Sequence, residues 1–483
     1  MSVERHLLPE DSSLLDVLNR LNAGVSGVVC LVDQTGRMVG LFTDGDVRRA
    51  VLKGAELSEP CREHMTRDFV SGLAGMTRED RLALLTDRIR HVPILDEAGR
   101  PVEVLTWADI WRMPLVEPSL AGNELKYVTD CIRTNWISSQ GKYVSRFESE
   151  FAAYHGMAHG VACSSGTTAL HLGLLSLDIS QGDEVIVPDL TFGATANAVI
   201  HAGANPVLVD VEPETWNMDP EAVRAAVTKR TKAILPVHLY GLPCDLAALG
   251  EIAEEHGLSM MEDCAEALGA RFQGRPVGSF GDVSAFSFFA NKTITTGEGG
   301  MVLTDSEELA GRMRILRDHG MRPDKRYWHD EVGYNYRMTN MQSALGCAQL
   351  ERLDDFLKRR EQLAEAYESG LAGIGWLERQ GSTPERESAH WLYSVLVSPD
   401  SPVDRDDLIR ALGEEGIDTR PLFFPLHEQP AFEPCARAPC PVSRNVAYRG
   451  LSLPTSNHME TEDAEKVVEA LLRIAERHCW LEG

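Results

Sequence analysis

The sequence predicts an α/β protein built from a small repeated unit, a large domain with a mostly parallel sheet, and a smaller α+β subdomain. A helix–strand–turn–strand–helix pattern occurs twice in the first 113 residues. From Asn123 onward, strand and helix patterns alternate, which is typical of a parallel sheet covered by helices. Near residue 380 the stretch GSTPERES interrupts this alternation. We therefore expect domains at 1–113, 123–380 and 381–483, with a linker at 114–122.

The first part is an internal repeat. Its first copy runs from an apolar helix at 14–21 through the strands VSGVVCLVD and MVGLFT to the helix DVRRAVLKG. The second copy runs from the helix RLALLTDRI through HVPILD and PVEVLT to WADIW. The turn glycines Gly36 and Gly99 lie 63 residues apart. The repeat is too long for most solenoids and has too few copies for a propeller, so we expect the two copies to pack together as one α/β module.

In each copy the second strand closes with a Thr-x-x-Asp pattern, Thr43 to Asp46 and Thr106 to Asp109. Together with the repeat, this pattern resembles a tandem CBS (Bateman) module. The resemblance implies that these four residues hold the ribose and phosphate of an adenine nucleotide, and a helix N-terminus does favour phosphate. One alternative is that both aspartates only cap helices. Another is that the module serves dimerisation without a ligand.

The composition limits the partners that are expected. The chain has 73 acidic against 47 basic residues and a net charge of −26, which argues against a nucleic-acid binder because such a protein needs a basic face. The ten cysteines form no CxxC pair, and no metal site is expected. We find no signal-peptide pattern and no uninterrupted apolar run near ~18 residues, so no membrane span is expected. A reducing cytoplasm fits these features.

Two stretches of the large domain predict ligand contacts after strands. In CSSGTTALHLGLL (163–175), the hydroxyl-rich turn at 164–168 precedes a helix, and its free backbone amides and hydroxyls would form an anion cradle. An ordinary helix cap is the alternative. In EVIVPDLTFGATANAV (184–199), a buried strand leads to Phe192. This ring either stacks on a flat ligand or belongs to the core.

A third stretch, SMMEDCAEALGA (259–270), ends an apolar strand in the carboxylates Glu262 and Asp263. Ligands of α/β proteins bind at the carboxyl ends of strands. A buried aspartate beside a pyridine nitrogen would keep that nitrogen protonated and make the ring a better electron sink. Glu266 would contact the hydroxyl side of such a ring. Helix capping by Asp263 is the alternative.

Two further stretches complete the set. SAFSFFANKTITTGEGGMVLT (284–304) brings Ser287 and Lys292 to a loop rich in threonine and glycine. A lysine that is costly to bury charged has a lowered pKa and becomes a nucleophile for aldehydes. A surface lysine, the alternative, fits the flanking FSFF poorly. GYNYRMTNMQSALGCAQL (333–350), which contains Asn335, predicts an interface helix.

In this order, the five stretches resemble the DegT/DnrJ/EryC1/StrS family of sugar aminotransferases, over about residues 116–478. The resemblance implies the fold type I architecture of pyridoxal 5'-phosphate (PLP) transferases and a homodimer with its sites at the subunit interface. It implies a Schiff base between Lys292 and PLP, and contact of Asp263 with the pyridine nitrogen. The other implied cofactor contacts are Phe192 stacked on the ring, Glu266 on the ring hydroxyl, Gly166, Thr167 and Ser287 on the phosphate, and Asn335 reaching the phosphate from the neighbouring subunit. Glu266 departs from the family, where many members have Gln or His.

The implied reaction is a ping-pong transfer of an amino group from L-glutamate to a nucleotide-linked keto sugar. The stretch FFANKTITTGEGGM is most similar to that of a subgroup that includes perosamine synthases. This subgroup makes 4-amino sugars for surface polysaccharides from GDP- or UDP-linked 4-keto-6-deoxyhexoses. The segment DTRPLFFPLHEQPAF offers Arg420 and His427 as substrate contacts. Alternatives are a 3-keto sugar acceptor, another PLP enzyme on the same scaffold, and a non-catalytic nucleotide-sensing protein. Family members that dehydrate sugars carry His in place of Lys292, which favours transamination here.

Overall fold

A computed structural model of the 483-residue chain describes residues 3–23, 27–76, 78–86, 89–106, 113–435 and 437–481. The chain divides into two compact units, one of residues 1–112 with 413–416 and one of residues 113–412 with 417–483. No helix among the described residues is long and apolar enough to cross a membrane. Nine cysteines, from Cys30 to Cys440, are free, and eight of these nine are buried.

The first unit contains two small sheets of three strands each. Its elements are β1 (Leu7–Pro9), α1 (Leu14–Ala23), β2 (Val28–Val32), β3 (Met38–Thr43), α2 (Asp44–Leu52), β4 (Gly72–Leu73), α3 (Arg78–Leu82), β5 (His91–Leu95) and β6 (Pro101–Thr106). The predicted helix RLALLTDRI (81–89) is formed only at its start, because α3 spans Arg78–Leu82. The predicted helix WADIW falls largely on residues outside the described ranges.

The two sheets repeat one topology with one register. In each, the first two strands are parallel and the last two antiparallel. Val28 pairs with Thr43 in the first sheet, and His91 pairs with Thr106 in the second, 63 residues later on both strands. The turns also correspond, because Asp33 and Asp96 each accept from amides two and four residues on. The predicted repeat is therefore confirmed in its backbone pairing.

The second unit carries the remaining elements. They are α4 (Glu124–Arg133), α5 (Lys142–His155), β7 (His159–Cys163), α6 (Gly166–Ser176), β8 (Glu184–Pro188), α7 (Ala194–His201), β9 (Asn205–Val209), α8 (Pro220–Ala226), β10 (Thr231–Ile234), α9 (Leu246–His256), β11 (Ser259–Asp263), β12 (Arg271–Phe272), β13 (Arg275–Pro276), β14 (Val283–Ser287), β15 (Gly300–Thr304), α10 (Glu307–Arg317), α11 (Asn340–Leu350), α12 (Leu353–Leu371), β16 (Leu377–Arg379), β17 (Arg386–Glu387), β18 (Tyr393–Val397), α13 (Arg405–Glu414), β19 (Arg420–Pro421), α14 (Pro441–Arg449), β20 (Gly450–Leu453) and α15 (Thr461–Leu481).

A seven-stranded sheet with the order β7-β15-β14-β11-β10-β8-β9 forms the centre of this unit. Only β15 runs against its neighbours, so the sheet is mostly parallel, as predicted. Alternate residues of a strand point to opposite faces. Accordingly, Ile186 belongs to one buried apolar cluster, and Val185 and Val187 belong to another. Because both faces are covered, the strands are continuously apolar.

A smaller antiparallel sheet, β16-β18-β20-β19, lies in the C-terminal part. It packs with α12, α13 and α15 around a third apolar cluster, whose members extend from Leu363 to Ile474. The predicted α+β character of this part is confirmed. The proposed boundary at residue 380 stays a prediction.

Glu262 is the second-to-last residue of β11, and its carboxylate is fully buried. It accepts from the His238 ring at 3.2 Å and from the backbone amides of Gly278, Phe280 and Gly281 at 2.7–2.9 Å. Burial alone would raise the pKa of Glu262, but the bonds from His238 and the amides outweigh it and lower the pKa. The carboxylate therefore fixes the loop before β14 in place.

We expect Glu262→Gln to destabilise the protein by about 3 kcal/mol, because an amide cannot accept from all of these donors. Thermal melting followed by circular dichroism measures the loss. The folded-state pKa of Glu262 is depressed, so its stabilisation is complete above the ordinary value near 4.5 and is lost as the pH falls through the folded value. The difference between variant and wild type should shrink over that acid range. An equal difference at all pH values would contradict this account.

Candidate active site

The residues predicted to bind a cofactor meet at one edge of the large sheet. Strands β7, β8, β11 and β14 run in the same direction, so their carboxyl ends share that edge. Gly166 and Thr167 follow β7, Phe192 follows β8, Asp263 ends β11 and Ser287 ends β14. This is the edge at which parallel α/β sheets bind ligands.

The N-terminus of α6 forms a small cradle with Ser287. Ser165 caps the helix, since its hydroxyl accepts from the Thr168 amide at 3.1 Å, and the Thr168 hydroxyl accepts from the Ser165 amide at 3.0 Å. The amides of Gly166 and Thr167 stand in the first turn, where helices leave amides for anions. A Cβ atom at Gly166 would lie 2.7 Å from the Ser287 Cβ atom and 2.9 Å from its hydroxyl. The donors and the space fit a phosphate group.

We expect Gly166→Ala to weaken PLP binding by about tenfold or more, because the added methyl group would push Ser287 out of the cradle. Equilibrium dialysis with absorbance of the bound cofactor gives the dissociation constant. Gly250→Ala, in the helix α9 with open space around its Cβ position, is the matched control. Unchanged PLP affinity in Gly166→Ala would contradict the cradle.

Asp263 is a buried carboxylate held by two donors. One oxygen accepts from the Thr195 hydroxyl at 2.9 Å, and the other accepts from the Ala265 amide at 3.1 Å. Burial raises the pKa of Asp263, while these bonds and the charge of Lys292 oppose the rise. An oriented, desolvated carboxylate is suited to hold a protonated ring nitrogen. The bond to Ala265 forms a local turn and no helix begins there, so the helix-capping alternative is wrong, and contact with a ring nitrogen stays a prediction.

Lys292 follows β14 by five residues, and its amine lies 3.6 Å from the centre of the Trp391 ring. Burial lowers the pKa of Lys292, while Glu266 and Asp263 raise it. The sequence predicted this desolvation. Trp391 was not predicted, since HWLYSVLV indicated a strand and nothing else.

Glu266 lies deep in the same region and is 4% exposed. Its carboxylate accepts from the Tyr240 amide at 2.9 Å. Burial raises the pKa of Glu266 to about 7, against the opposing effects of Lys292 and of the Tyr240 amide. A carboxyl group with this pKa can donate or accept a proton near neutrality.

Phe192 is an exposed ring at the edge of an open cavity. It is 61% exposed, and its centroid lies 5.8 Å from that of Phe423. The cavity measures about 660 Å³, and its wall includes Thr167, Phe192, Arg420 and Phe423. Because the Phe192 ring is exposed, it is not a core residue, and a face of the ring is accessible to a flat ligand. Arg420 lies on the same wall.

His427 contacts a buried acid. Its ring lies 2.7 Å from one oxygen of Asp189, and its amide donates to the other at 2.8 Å. Asp189 follows β8 directly and is fully buried. The structure thus gives His427 a part in holding the segment after β19 to the sheet. Contact of His427 with a sugar stays a prediction.

Asn335 is exposed on a segment that lies against the cradle. The neighbouring residue Tyr336 accepts from the Ser164 amide through its carbonyl at 2.8 Å. Tyr334 and Tyr336 stack with centroids 4.7 Å apart, and the hydroxyl of Tyr336 lies 3.1 Å from the His171 ring. These contacts fix the backbone on both sides of Asn335 and leave its side chain free to reach outward.

In the first unit, Asp46 caps α2. One of its oxygens accepts from the Thr43 amide at 2.8 Å and hydroxyl at 2.6 Å, and the other accepts from Arg49 and Thr66. The capping alternative is therefore realised in the first copy, and the carboxylate has these partners already. Thr106 ends β6 at the equivalent place, and Asp109 lies outside the described residues.

Comparisons with known proteins agree on the large unit. A profile of the DegT/DnrJ/EryC1/StrS aminotransferase family matches residues 118–472, and a CBS domain profile matches residues 1–53. GDP-perosamine synthase of Caulobacter vibrioides is 46% identical over 368 residues, 76% of this chain and 99% of the relative. UDP-N-acetyl-3-dehydro-alpha-D-glucosamine 3-aminotransferase of Acidithiobacillus ferrooxidans is 40% identical, over 70% of this chain and 89% of the relative. A putative sugar aminotransferase of Streptococcus pneumoniae in its PLP form is 29% identical with a TM-score of 0.72, over 76% of this chain and 99% of that one.

Proposed function

The chain belongs to the DegT/DnrJ/EryC1/StrS aminotransferase family, and from that premise we propose that it transfers an amino group from L-glutamate to a nucleotide-linked 4-keto-6-deoxyhexose. The observation that carries the proposal is the meeting of Lys292, Asp263 and the Gly166–Ser287 cradle at one sheet edge. Bound PLP supplies the electron sink for such an exchange. The product is a 4-amino sugar for surface polysaccharides, made in the cytoplasm.

Each residue of the site has a separate role in the proposed reaction. Asp263, oriented by Thr195, would hold the ring nitrogen of bound PLP in its protonated form. Burial lowers the pKa of Lys292, which favours the neutral amine that would remove a proton from the substrate carbon and return it. The ring of Phe192 would cover one face of the bound cofactor, and Glu266, whose pKa burial raises to about 7, would contact its hydroxyl.

A 4-keto acceptor is proposed ahead of a 3-keto acceptor. The Caulobacter relative, named for a 4-amino sugar, shares more identity and more length with this chain than the relative named as a 3-aminotransferase. The FFANKTITTGEGGM stretch around Lys292 supports the same subgroup. The 3-keto acceptor remains the second candidate on the same scaffold.

The test is a panel of GDP- and UDP-linked 4-keto-6-deoxyhexoses and 3-keto sugars, incubated with full-length protein, PLP and ¹⁵N-glutamate. We expect mass spectrometry to show exchange of the ketone for a labelled amine on a 4-keto sugar. Lys292→Ala is the control for non-enzymatic exchange. Labelling confined to a 3-keto sugar would establish the second candidate, and labelling of no sugar would refute both.

We expect Arg420→Ala to raise the KM for the nucleotide sugar about tenfold and to change kcat little. Arg420 belongs to the wall of the cavity that also includes Phe192, and a guanidinium there can pair with a phosphate of the nucleotide. Steady-state kinetics with the sugar varied measures the effect. Arg410→Ala, an exposed arginine on α13 that pairs with Asp407, is the matched control. A fall in kcat with unchanged KM would contradict this role.

We propose a homodimer in which Asn335 of each subunit completes the phosphate site of the other. The support is the exposed Asn335 side chain on a rigid segment next to the cradle. Lys292→Ala and Asn335→Ala should each be inactive alone. A mixture refolded or exchanged together should regain activity, because one of the two sites in a mixed dimer then has both residues. No recovery in a mixture that light scattering shows to contain mixed dimers would refute the shared site.

We also propose that the first unit binds an adenine nucleotide at Thr43, Asp46, Thr106 and Asp109 and thereby regulates the enzyme. The support is the repeated strand register, which sets Thr43 and Thr106 at equivalent strand ends. Asp46 must then give up part of its cap to ribose. Thermal shift and activity with AMP or ATP test the proposal. The absence of any shift at millimolar concentrations would refute it for those nucleotides.

A further inference from the structure

The ring of Trp391 forms a platform beneath the amine of Lys292. The distance from the amine nitrogen to the ring centroid is 3.6 Å, well within the range of cation–π attraction. Trp391 is only 4% exposed. Water therefore screens the contact little, and desolvated contacts of this kind are the stronger ones.

The position of Trp391 is fixed from several directions. Its indole N–H donates to the Asn291 carbonyl at 2.8 Å, directly before Lys292 in the chain. Its ring stacks on that of Tyr240 at an interplanar angle of 13° and a centroid distance of 6.4 Å. Its carbonyl accepts from Arg360 at 2.7 Å and from the Thr455 hydroxyl at 3.2 Å. A ring held by all of these contacts cannot turn away from the lysine.

The backbone beneath the ring is adapted to this arrangement. Gly241 has a φ of +111°, and a Cβ atom there would lie 2.8 Å from the amides of both His390 and Trp391. His390 itself adopts a left-handed φ of 46°. Strained or glycine-dependent backbone persists where the surroundings determine it. Two chain segments thus approach closely at this one point to present the indole.

Arg360 connects the platform to the loop of Lys292. It is fully buried, and it donates to Asn457 at 2.9 Å. Asn457 in turn donates to the Thr293 carbonyl, directly after Lys292, at 3.0 Å. The platform and both neighbours of Lys292 in the chain are therefore parts of one hydrogen-bonded frame.

The charges around the amine explain why an aromatic partner matters. Glu266 and Asp263 act on Lys292 through space, while their oxygens accept hydrogen bonds from other groups, Glu266 from the Tyr240 amide and Asp263 from Thr195 and Ala265. The cation of Arg360 donates to the Trp391 carbonyl. The group in direct contact with the Lys292 amine is thus the uncharged indole of Trp391. The indole attracts the ammonium and leaves the charge of Asp263 for the pyridine nitrogen of the cofactor.

We propose that the indole of Trp391 binds the Lys292 ammonium by a cation–π contact whenever the lysine is not bonded to the cofactor. Trp391 is therefore a positioning residue for the proton transfers. The proposal rests on the proposed function, because it assumes that Lys292 is released and recaptured in each cycle. This contact keeps the Lys292 amine at a fixed place between its release from the cofactor and its recapture. It also stabilises the charged form of a lysine that burial otherwise disfavours.

The test measures the free amine of Lys292 without turnover. Full-length protein is prepared without cofactor and labelled with a trace of isotopic acetic anhydride from pH 6 to 10, and the Lys292 peptide is quantified by mass spectrometry. In Trp391→Leu we expect the pKa of Lys292 to fall by about one unit, so that labelling below the pKa is about tenfold faster. Trp391→Phe, which keeps a weaker ring, should give a smaller shift.

Trp216→Phe is the matched control, because it removes a buried indole from the same apolar cluster. It should leave the labelling profile of Lys292 unchanged. An unchanged or raised pKa in a folded Trp391→Leu protein would overturn the proposal. The acid limb of the pH profile for amine transfer should move in the same direction as the labelling pKa. Since labelling needs no substrate, a wrong substrate assignment would leave its result intact.

Discussion

Lys292→Ala should lower the rate of amine transfer by about 10⁴-fold or more, since the only amine beside Asp263 and Glu266 in the described site is then lost. The measurement is the conversion of PLP absorbance by L-glutamate, which follows the donor reaction by itself. The variant should still bind PLP, because the Gly166–Ser287 cradle and Asp263 remain. Near wild-type turnover in this variant would refute the role of Lys292 and the proposed chemistry with it.

Two controls separate lost chemistry from lost structure. The loop of Lys292 is held by backbone bonds from Trp391 and Asn457, neither of which uses the lysine side chain. The melting temperature of Lys292→Ala should therefore stay close to that of the wild type. Small primary amines added to the variant should restore part of the rate, because they can enter the space of the side chain and move the proton. A collapsed melting temperature would make the rate loss a folding effect.

Much of this fold could be predicted from the sequence because its signals are local. Strand ends such as Thr43 and Thr106 follow from alternating and continuous apolar runs, and the 63-residue repeat follows from matching turns at Gly36 and Gly99. The parallel sheet then places every motif that follows a strand at one edge. That Gly166 and Ser287 would share one phosphate was implied by the family resemblance, and the structure places them next to each other.

Contacts between distant segments could not be predicted in the same way. Thr195 donates to Asp263 across 68 positions of sequence, and no local pattern marks it. Trp391 lies 99 positions after Lys292 in a stretch that indicates only a strand. For His427 the sequence offered a substrate contact, and the buried acid Asp189 that it meets follows a different strand. Side-chain partners of this kind depend on the packing of the whole unit.

Asp263→Asn should reduce kcat for amine transfer by at least about a hundredfold, the scale found when one preorganised polar group is lost from an active site. Asparagine keeps the shape and can still accept from Thr195, but it carries no charge to hold a proton on the ring nitrogen. The KM for L-glutamate should change little. Stopped-flow absorbance of the donor reaction measures the rate, and the PLP spectrum reports the protonation of the ring.

Glu262→Gln is the matched control, because Glu262 is the adjacent buried carboxylate on the same strand and bonds to His238 and the loop before β14. Neighbouring residues of a strand point to opposite faces, so one substitution alters the cofactor side and the other alters the core. Glu262→Gln should lower the melting temperature and leave kcat near that of the wild type. Asp263→Asn should lower kcat and leave the melting temperature near that of the wild type. Equal losses of kcat in both variants would mean that negative charge in this strand, and not its contact with the ring, is what the reaction requires.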